Sequence, residues 1–389
     1  MAEHDKTYRI FISAADHSAD AHCAGLITAL QKSDHDAESP ALGRIECVGV
    51  GGPKMASAGC SLLETTVGKA VMIYKAFRHV LHFYRLIKRI TGFLKNNKVD
   101  LVIVCDSPAF NFHIAKAAKK AGIQTLFYVA PQLWAWAGWR IRKLRKYCDK
   151  LCCILPFEQD WFGQRGVEAV FVGNPLFDGV NIDLDQPGKR YENFDTGNLK
   201  IALMPGSRAA EIDSLWLPMQ QIASRLKQKY PAVTYVTVAV DAEREEILKA
   251  AQIAGFECQY TIGTVGSTAG ACDFAIVASG SATLEVAAVG CPMVIMYQSS
   301  RILWYLVGWW LVKPKYLSLV NILSDKELVP EFMPYFSSIE PIAERIEQLL
   351  EDRDKLTKIS GELIKLVEPL AKKKASDEVA KIVVEMVTG

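Results

Sequence analysis

Short apolar runs recur along this chain, and between them lie longer stretches in which apolar positions return with helical spacing. A strand covered on both faces is apolar throughout, so this alternation predicts parallel α/β units. In the first half the runs fall at 8–13, 46–50, Leu101–Cys105, 125–129, 151–155 and 169–172, with a helix expected over about 20–32. A polar stretch containing Gly, Pro and Asp then runs to about Asn198, after which the pattern restarts at 201–204, 234–240, 274–277 and 292–297. Two α/β domains are therefore expected, 1–185 and 186–389. The last fifty or so residues read as helices: Ser338 is the expected N-cap of a helix over 339–350, and an amphipathic helix is expected over 375–387.

Length and composition fit that division. A chain of 389 residues exceeds one ordinary core and suits two. It is 50% apolar and 23% charged, as a folded protein is, and its net charge of +2 leaves any attraction for anions to local clusters. The ten cysteines are scattered and read as reduced, mostly buried thiols. Cys148, Cys152 and Cys153 lack a paired CxxC element and a nearby His, so neither a metal site nor a cofactor is expected. The polar start, Met-Ala-Glu-His-Asp-Lys, reads as no signal peptide. The longest apolar stretch, 302–312, is half the length of a spanning helix, so no integral membrane segment is expected.

Two turns in the second half carry the strongest chemistry. The run at 201–204 ends in Pro205-Gly206-Ser207-Arg208, with Glu211 following; the run at 274–277 ends in Ala278-Ser279-Gly280-Ser281-Ala282-Thr283-Leu284-Glu285. Glycine lets a backbone approach a ligand, a helix N-terminus offers free N–H groups, and Arg pairs with phosphate. Glu285, one turn into its helix, is placed to accept from ribose hydroxyls. Either turn alone also reads as an ordinary capped βα turn; together they favour a nucleotide diphosphate. No Gly-Lys-Ser/Thr follows either turn and neither is GxGxxG, which argues against kinases, ATPases and dehydrogenases.

With these turns, Phe171-Val-Gly-Asn-Pro-Leu176, Gly51-Gly-Pro-Lys-Met55, Asp106-Ser-Pro-Ala-Phe-Asn111, Tyr128-Val-Ala-Pro-Gln-Leu-Trp-Ala-Trp136, Leu155-Pro-Phe-Glu158, Tyr316-Leu-Ser-Leu-Val-Asn-Ile-Leu323 and Glu327-Leu-Val-Pro-Glu331 resemble, in order and over nearly the whole chain, the lipid-A-disaccharide synthases. The resemblance implies an inverting hexosyltransferase of GT-B architecture, two Rossmann-like domains facing across a cleft, with C-terminal helices. It implies transfer of 2,3-diacylglucosamine from UDP-2,3-diacylglucosamine to 2,3-diacylglucosamine 1-phosphate, giving a β-1,6 disaccharide and UDP in lipid A biosynthesis. The expected catalytic residues are Asp106, as base, and Asp16. The expected donor contacts are Gly206, Ser207, Arg208, Glu211, Ser279, Gly280, Ser281, Thr283, Glu285, Asn321 and Glu327. Acceptor or lipid contacts are expected at Ser18, Asn111, Trp134, Trp136, Phe77 and Arg78. No metal is implied; a homodimer is.

The chain departs from the family pattern around the acids: Ala15 and Ala19 replace glycines, Asp16 a glutamate, Ala109 an aspartate, Asn174 a histidine and Pro334 a glutamine. The departures leave room for a related UDP-sugar transferase or epimerase with another acceptor, or for a weakly catalytic membrane-associated UDP-sugar-binding protein. From Thr65 to Val99 there is no acidic residue, and a helix there sets Ile73, Phe77, Val80, Tyr84 and Ile87 on one stripe and Lys75, Arg78, His82, Arg85 and Arg89 on another. That pattern reads either as an interfacial helix at the cytoplasmic membrane surface or as a core-packed helix with a solvated basic face. The Trp-rich stretch 302–312 fits a membrane interface, an acyl groove or a dimer contact. Arg140, Arg142, Lys143, Arg145 and Lys146 follow Trp139 and read as a phosphate-holding cluster or a solvated face. No RNA-binding arrangement is present, so nucleic acid is not an expected partner. The expected location is cytoplasmic, on the inner face of the cytoplasmic membrane.

Overall fold

The structure, a computed structural model, describes residues 6–33, 44–66, 76–179, 191–192, 194–299 and 314–389, with side chains from residue 82 onward in the helix that begins at Ala76. The stretch 302–312 and the side chains of Phe77 and Arg78 lie outside it. The chain forms two units, Met1–Val180 with Leu370–Gly389, and Asn181–Pro369.

The first unit runs β1 (Tyr8–Ala14), α1 (His17–Ser33), β2 (Ile45–Gly51), α2 (Pro53–Ser57), β3 (Ser61–Thr65), α3 (Ala76–Asn96), β4 (Leu101–Cys105), α4 (Pro108–Lys120), β5 (Gln124–Tyr128), α5 (Ile141–Tyr147), β6 (Lys150–Cys153), α6 (Pro156–Gly163) and β7 (Ala169–Phe171). Its seven strands lie in the order β3-β2-β1-β4-β5-β6-β7, every pair parallel. Side chains alternate across a strand, so each apolar run feeds two cores. Ile10 and Ile12 of β1 pack with Leu26, Ile27 and Leu30 of α1, while Phe11 between them packs with Leu86, Ile90 and Val104 on the other face.

The second unit runs β8 (Lys200–Met204), α7 (Ala209–Lys229), β9 (Thr234–Ala239), α8 (Ala242–Ala250), β10 (Gln259–Ile262), α9 (Val265–Gly270), β11 (Phe274–Ala278), α10 (Ala282–Ala288), β12 (Met293–Met296), α11 (Leu319–Ser324), β13 (Glu331–Phe332) and α12 (Glu340–Leu350). Its sheet, order β10-β9-β8-β11-β12-β13, is also parallel. Helix α13 (Arg353–Ala371) then leads into α14 (Ala375–Thr388).

In both sheets the strand order reverses beside the first strand, between β1 and β4 and between β8 and β11. Open α/β sheets bind ligands at such switch points, at the carboxyl ends of the strands. The turns singled out in the sequence occupy these places.

Several expectations are corrected. The terminal helix α14 belongs with the first unit: Ala375, Val379, Ala380 and Val383 are buried in the same core as α1. Helix α1 begins at His17 rather than near Asp20, because Asp16 accepts from the Ala19 N–H at 2.9 Å and so caps the first turn. Helix α12 is preceded by Ile339, not Ser338, and carries no side-chain cap there. On α3 the buried stripe is Leu86, Ile90 and Leu94, whereas Tyr84 is exposed. Two of its basic residues are paired after all, with Glu64 on β3: His82 at 3.1 Å and Arg89 at 3.4 Å.

Candidate functional site

The acids of the first unit meet at the β1/β4 switch point. Asp106 and Ser107, immediately after β4, both have left-handed backbones (φ 47° and 43°), a conformation that L side chains enter at a cost. Asn111, fully buried one turn into α4, holds them there. Its amide donates to the carbonyls of Cys105 (2.8 Å) and Asp106 (2.7 Å), and its oxygen accepts from the Ser13 hydroxyl at 2.8 Å. Ser107 in turn donates to Asp16 Oδ2 at 2.8 Å, so Asp16 and the Asp106 turn are tied through one hydroxyl. Asn111, expected as an acceptor contact, has its side chain committed to backbone and to Ser13. Ser18, expected likewise, lies one turn before His22, 3.0 Å from its ring; burial pushes the His22 imidazole down to about 4, so that ring stays neutral.

Asp20, in the block next to Asp16, is structural. Buried, it accepts from the N–H groups of Gly52 (2.8 Å), Lys54 (3.1 Å) and Met55 (3.1 Å) and fixes the Gly51-Gly52-Pro53 turn after β2.

Beyond β5 the chain carries Trp134, Trp136 and Trp139, which divide into two kinds. Trp134 is buried and donates its indole N–H to Glu158 at 2.9 Å. Trp136 and Trp139 remain 45% and 62% exposed. Glu158, itself 1% exposed, also accepts from the Ile154 and Leu155 N–H groups at 3.2 and 3.1 Å. Burial pushes this carboxyl up to about 7 despite those three donors. Glu158 was visible in the sequence only as part of the Leu155-Pro-Phe-Glu158 block, because its partner lies 24 residues away.

In the second unit the two turns end neighbouring strands, since Met204 of β8 pairs in register with Val277 of β11. Gly206 is left-handed at φ 103°, and a Cβ on it would lie 2.4 Å from Glu211 Oε2. Only glycine fits. Glu211, buried at the third position of α7, accepts from the Ser207 and Arg208 N–H groups (3.0 and 3.2 Å) and pairs with Arg208 Nη1 at 2.8 Å. Glu211 therefore shapes the turn from within, and Arg208, 80% exposed, is the group that reaches outward.

At the second turn Thr283 is buried and donates to the Gly280 carbonyl at 2.7 Å, so it braces the turn. Gly280 and Ser281 are exposed and Ser279 half-buried. Glu285 is half-buried with its carboxyl raised by burial, and among the described residues no donor reaches it. A desolvated carboxylate at the mouth of such a turn is disposed to accept hydroxyls.

Asn321, expected in the donor pocket, is fully buried: it donates to the Val329 carbonyl (2.8 Å) and Glu331 (3.0 Å) and accepts from the Leu328 and Val329 N–H groups (2.9 and 3.1 Å). Glu331 also accepts from the Ser318 hydroxyl at 2.6 Å. These residues build the loop that presents Glu327, which is exposed and lines a cavity of about 290 Å³ with Pro330, Glu331, Glu344 and Arg345.

Two parallel sheets, each reversing its strand order beside its first strand, define an α/β protein of GT-B architecture. Solved structures agree on the fold. A putative UDP-N-acetylglucosamine 2-epimerase from Listeria monocytogenes superposes with a TM-score of 0.63 at 11% identity, over 97% of this chain and 95% of that one. The spinosyn rhamnosyltransferase SpnG, complexed with thymidine diphosphate, gives 0.55 at 11% identity, over 97% and 100%. Sequence is more specific. A lipid-A-disaccharide synthase from Trichlorobacter lovleyi is 34% identical over 389 residues, 97% of each chain. The family described as lipid-A-disaccharide synthetase matches residues 10–386, and the chain belongs to that family.

Proposed function

We propose that this protein is a hexosyltransferase that moves 2,3-diacylglucosamine from its UDP ester to 2,3-diacylglucosamine 1-phosphate, forming a β-1,6 disaccharide and UDP. The observation that carries the reading is the family match over residues 10–386, which spans both switch-point turns. In the reaction the acceptor's 6-hydroxyl oxygen bonds to donor C1, the C1–O bond to the diphosphate breaks with inversion, and the hydroxyl proton passes to Asp106. The left-handed Asp106-Ser107 turn, clamped by Asn111 and linked to Asp16, fixes that carboxylate in place. The leaving UDP gains negative charge, which Arg208 and the backbone N–H groups of Gly280 and Ser281 offset, the Ser279 N–H being held by the Met296 carbonyl at 2.9 Å. Glu285 and Glu327 bind donor hydroxyls. Among the described residues no helix is long and apolar enough to cross a membrane. The acylated substrates place the enzyme on the cytoplasmic membrane surface, with the basic face of α3 toward anionic headgroups.

Replacing Asp106 by Asn is expected to lower UDP release in the presence of acceptor by about 100- to 10,000-fold, with UDP affinity unchanged. Undiminished turnover in Asp106→Asn excludes it as the base. UDP-sugar consumed without acceptor points to an epimerase instead.

A further inference from the structure

The segment between β5 and α5 is held rigidly while showing aromatic rings to solvent. Val129 and Ala137, at either end of it, are left-handed (φ 62° and 56°) without being glycine. Between them the N–H groups of Ala135 and Trp136 both reach the Gln132 carbonyl (3.1 and 3.3 Å), and the Arg140 N–H reaches Ala137 at 2.9 Å. Trp134 is pinned from below by the buried Glu158. A loop strained and anchored in this way cannot fold its outer rings inward, yet Trp136 is 45% and Trp139 62% exposed. Strain kept beside exposed aromatic area is a mark of a ligand platform.

The charge beside it gives the ligand's chemistry. The guanidinium of Arg140 lies 5.1 Å from the Trp136 ring centroid. Arg142, Lys143, Arg145 and Lys146 follow with no acidic residue among them, and no carboxylate of the described residues pairs with any of the five. Stacking orients the planar guanidinium while leaving its in-plane N–H donors free, and those donors match the oxygens of a phosphate monoester. The platform follows β5, next to β4 and the Asp106 turn; the Asp106 N–H bonds the Tyr128 carbonyl at 3.1 Å.

We propose that Trp136 and Arg140, with Arg142 beside them, form a subsite for an amino-sugar phosphate monoester: the sugar lies on the indole and the phosphate on the guanidinium. Under the transferase reading, on which only this assignment rests, the ligand is the acceptor, recognised at the phosphate end remote from its reacting 6-hydroxyl. Trp134 and Glu158 are positioning residues that hold the platform.

The test measures binding of glucosamine 1-phosphate and of glucosamine to the full-length chain by calorimetry. Arg140→Gln is expected to weaken glucosamine 1-phosphate by about 10- to 100-fold and to leave glucosamine nearly unchanged. Trp136→Leu is expected to weaken both, and neither variant to alter UDP affinity. Trp136 is exposed and Arg140 half-buried, and neither is part of the core, so the fold should survive, which circular dichroism checks. No glucosamine 1-phosphate binding by the wild-type chain, or equal binding by Arg140→Gln, overturns the proposal. So does a variant that loses only its sedimentation with phosphatidylglycerol-containing vesicles, since the patch then reads lipid headgroups. If the transferase reading itself fails, the wild-type chain releases no UDP with the acylated acceptor, while the binding comparison still decides the subsite.

Discussion

At the residue scale, the buried polar side chains separate into those that act and those that hold others in place. Asn111, Thr283, Glu211 and Asn321 all fall in motifs where a ligand contact is the natural expectation, yet each is spent on backbone groups of its own turn. An unsatisfied buried carbonyl or N–H costs about 1–3 kcal/mol, so four such clamps represent a large investment in the geometry of short loops. Glu158 gives this a pH signature. Its carboxyl is pushed from 4.5 up to about 7, so between those values the folded chain holds a proton that the unfolded chain has released. Stability from this group is then fully present at low pH and is lost as pH rises towards 7, by about 2–4 kcal/mol in all. Urea titrations at pH 5 and pH 8 are expected to show this loss in the wild-type chain and to show it much reduced in Glu158→Gln. Equal pH dependence in the two proteins would rule out the assignment.

At the scale of elements, the turn after β8 depends on a single absent methyl group. Gly206 has both a left-handed φ and Glu211 pressed against its α-carbon. Gly206→Ala is therefore expected to displace the Glu211 cap at the start of α7, to cost about 1–3 kcal/mol of stability and to weaken UDP about 10-fold or more. Calorimetry with UDP reads the second effect; unchanged affinity would separate the turn from the donor. The central strands were legible because all their residues are apolar, as in Leu101–Cys105 and Phe274–Ala278. The edge strands β3, β10 and β13 were not: Ser61–Thr65, Gln259–Ile262 and Glu331–Phe332 are short and half-exposed, and carry no run to detect. The switch-point turns were legible from glycine, serine and arginine following a strand. The clamps were not, because Trp134 with Glu158 and Ser13 with Asn111 join residues 24 and 98 apart, and no local spacing encodes such pairs.

At the scale of the whole molecule, the first unit is discontinuous in sequence. Helix α14 lays Ala375, Val379, Ala380 and Val383 on the core that α1 shares with the β1 face of the sheet. Asp178 accepts from the Ala375 and Ser376 N–H groups at 2.7 and 2.8 Å, so the chain just past β7 caps the helix that completes its own unit. Burying a Val is worth about 1.5–3 kcal/mol, so the helix as a whole contributes on the order of 5 kcal/mol, comparable with a domain's net stability. A chain ending at Pro369 is expected to lose amide protection throughout β1, β4 and α1 while keeping it in β8, β9 and β11, as read by hydrogen exchange. Protection retained in β1 would show that the helix is dispensable.

The same closure sets an order of events during synthesis. Domains ordinarily mature in the order in which they leave the ribosome. Here the segment made first waits with one core face uncovered until residues 370–389 have been translated, whereas the segment made second has its full sequence by residue 369. The unit that bears Asp106 is thus finished after the other, and a message truncated between residue 369 and the start of α14 yields a chain whose second unit has its whole sequence and whose acid-bearing unit does not.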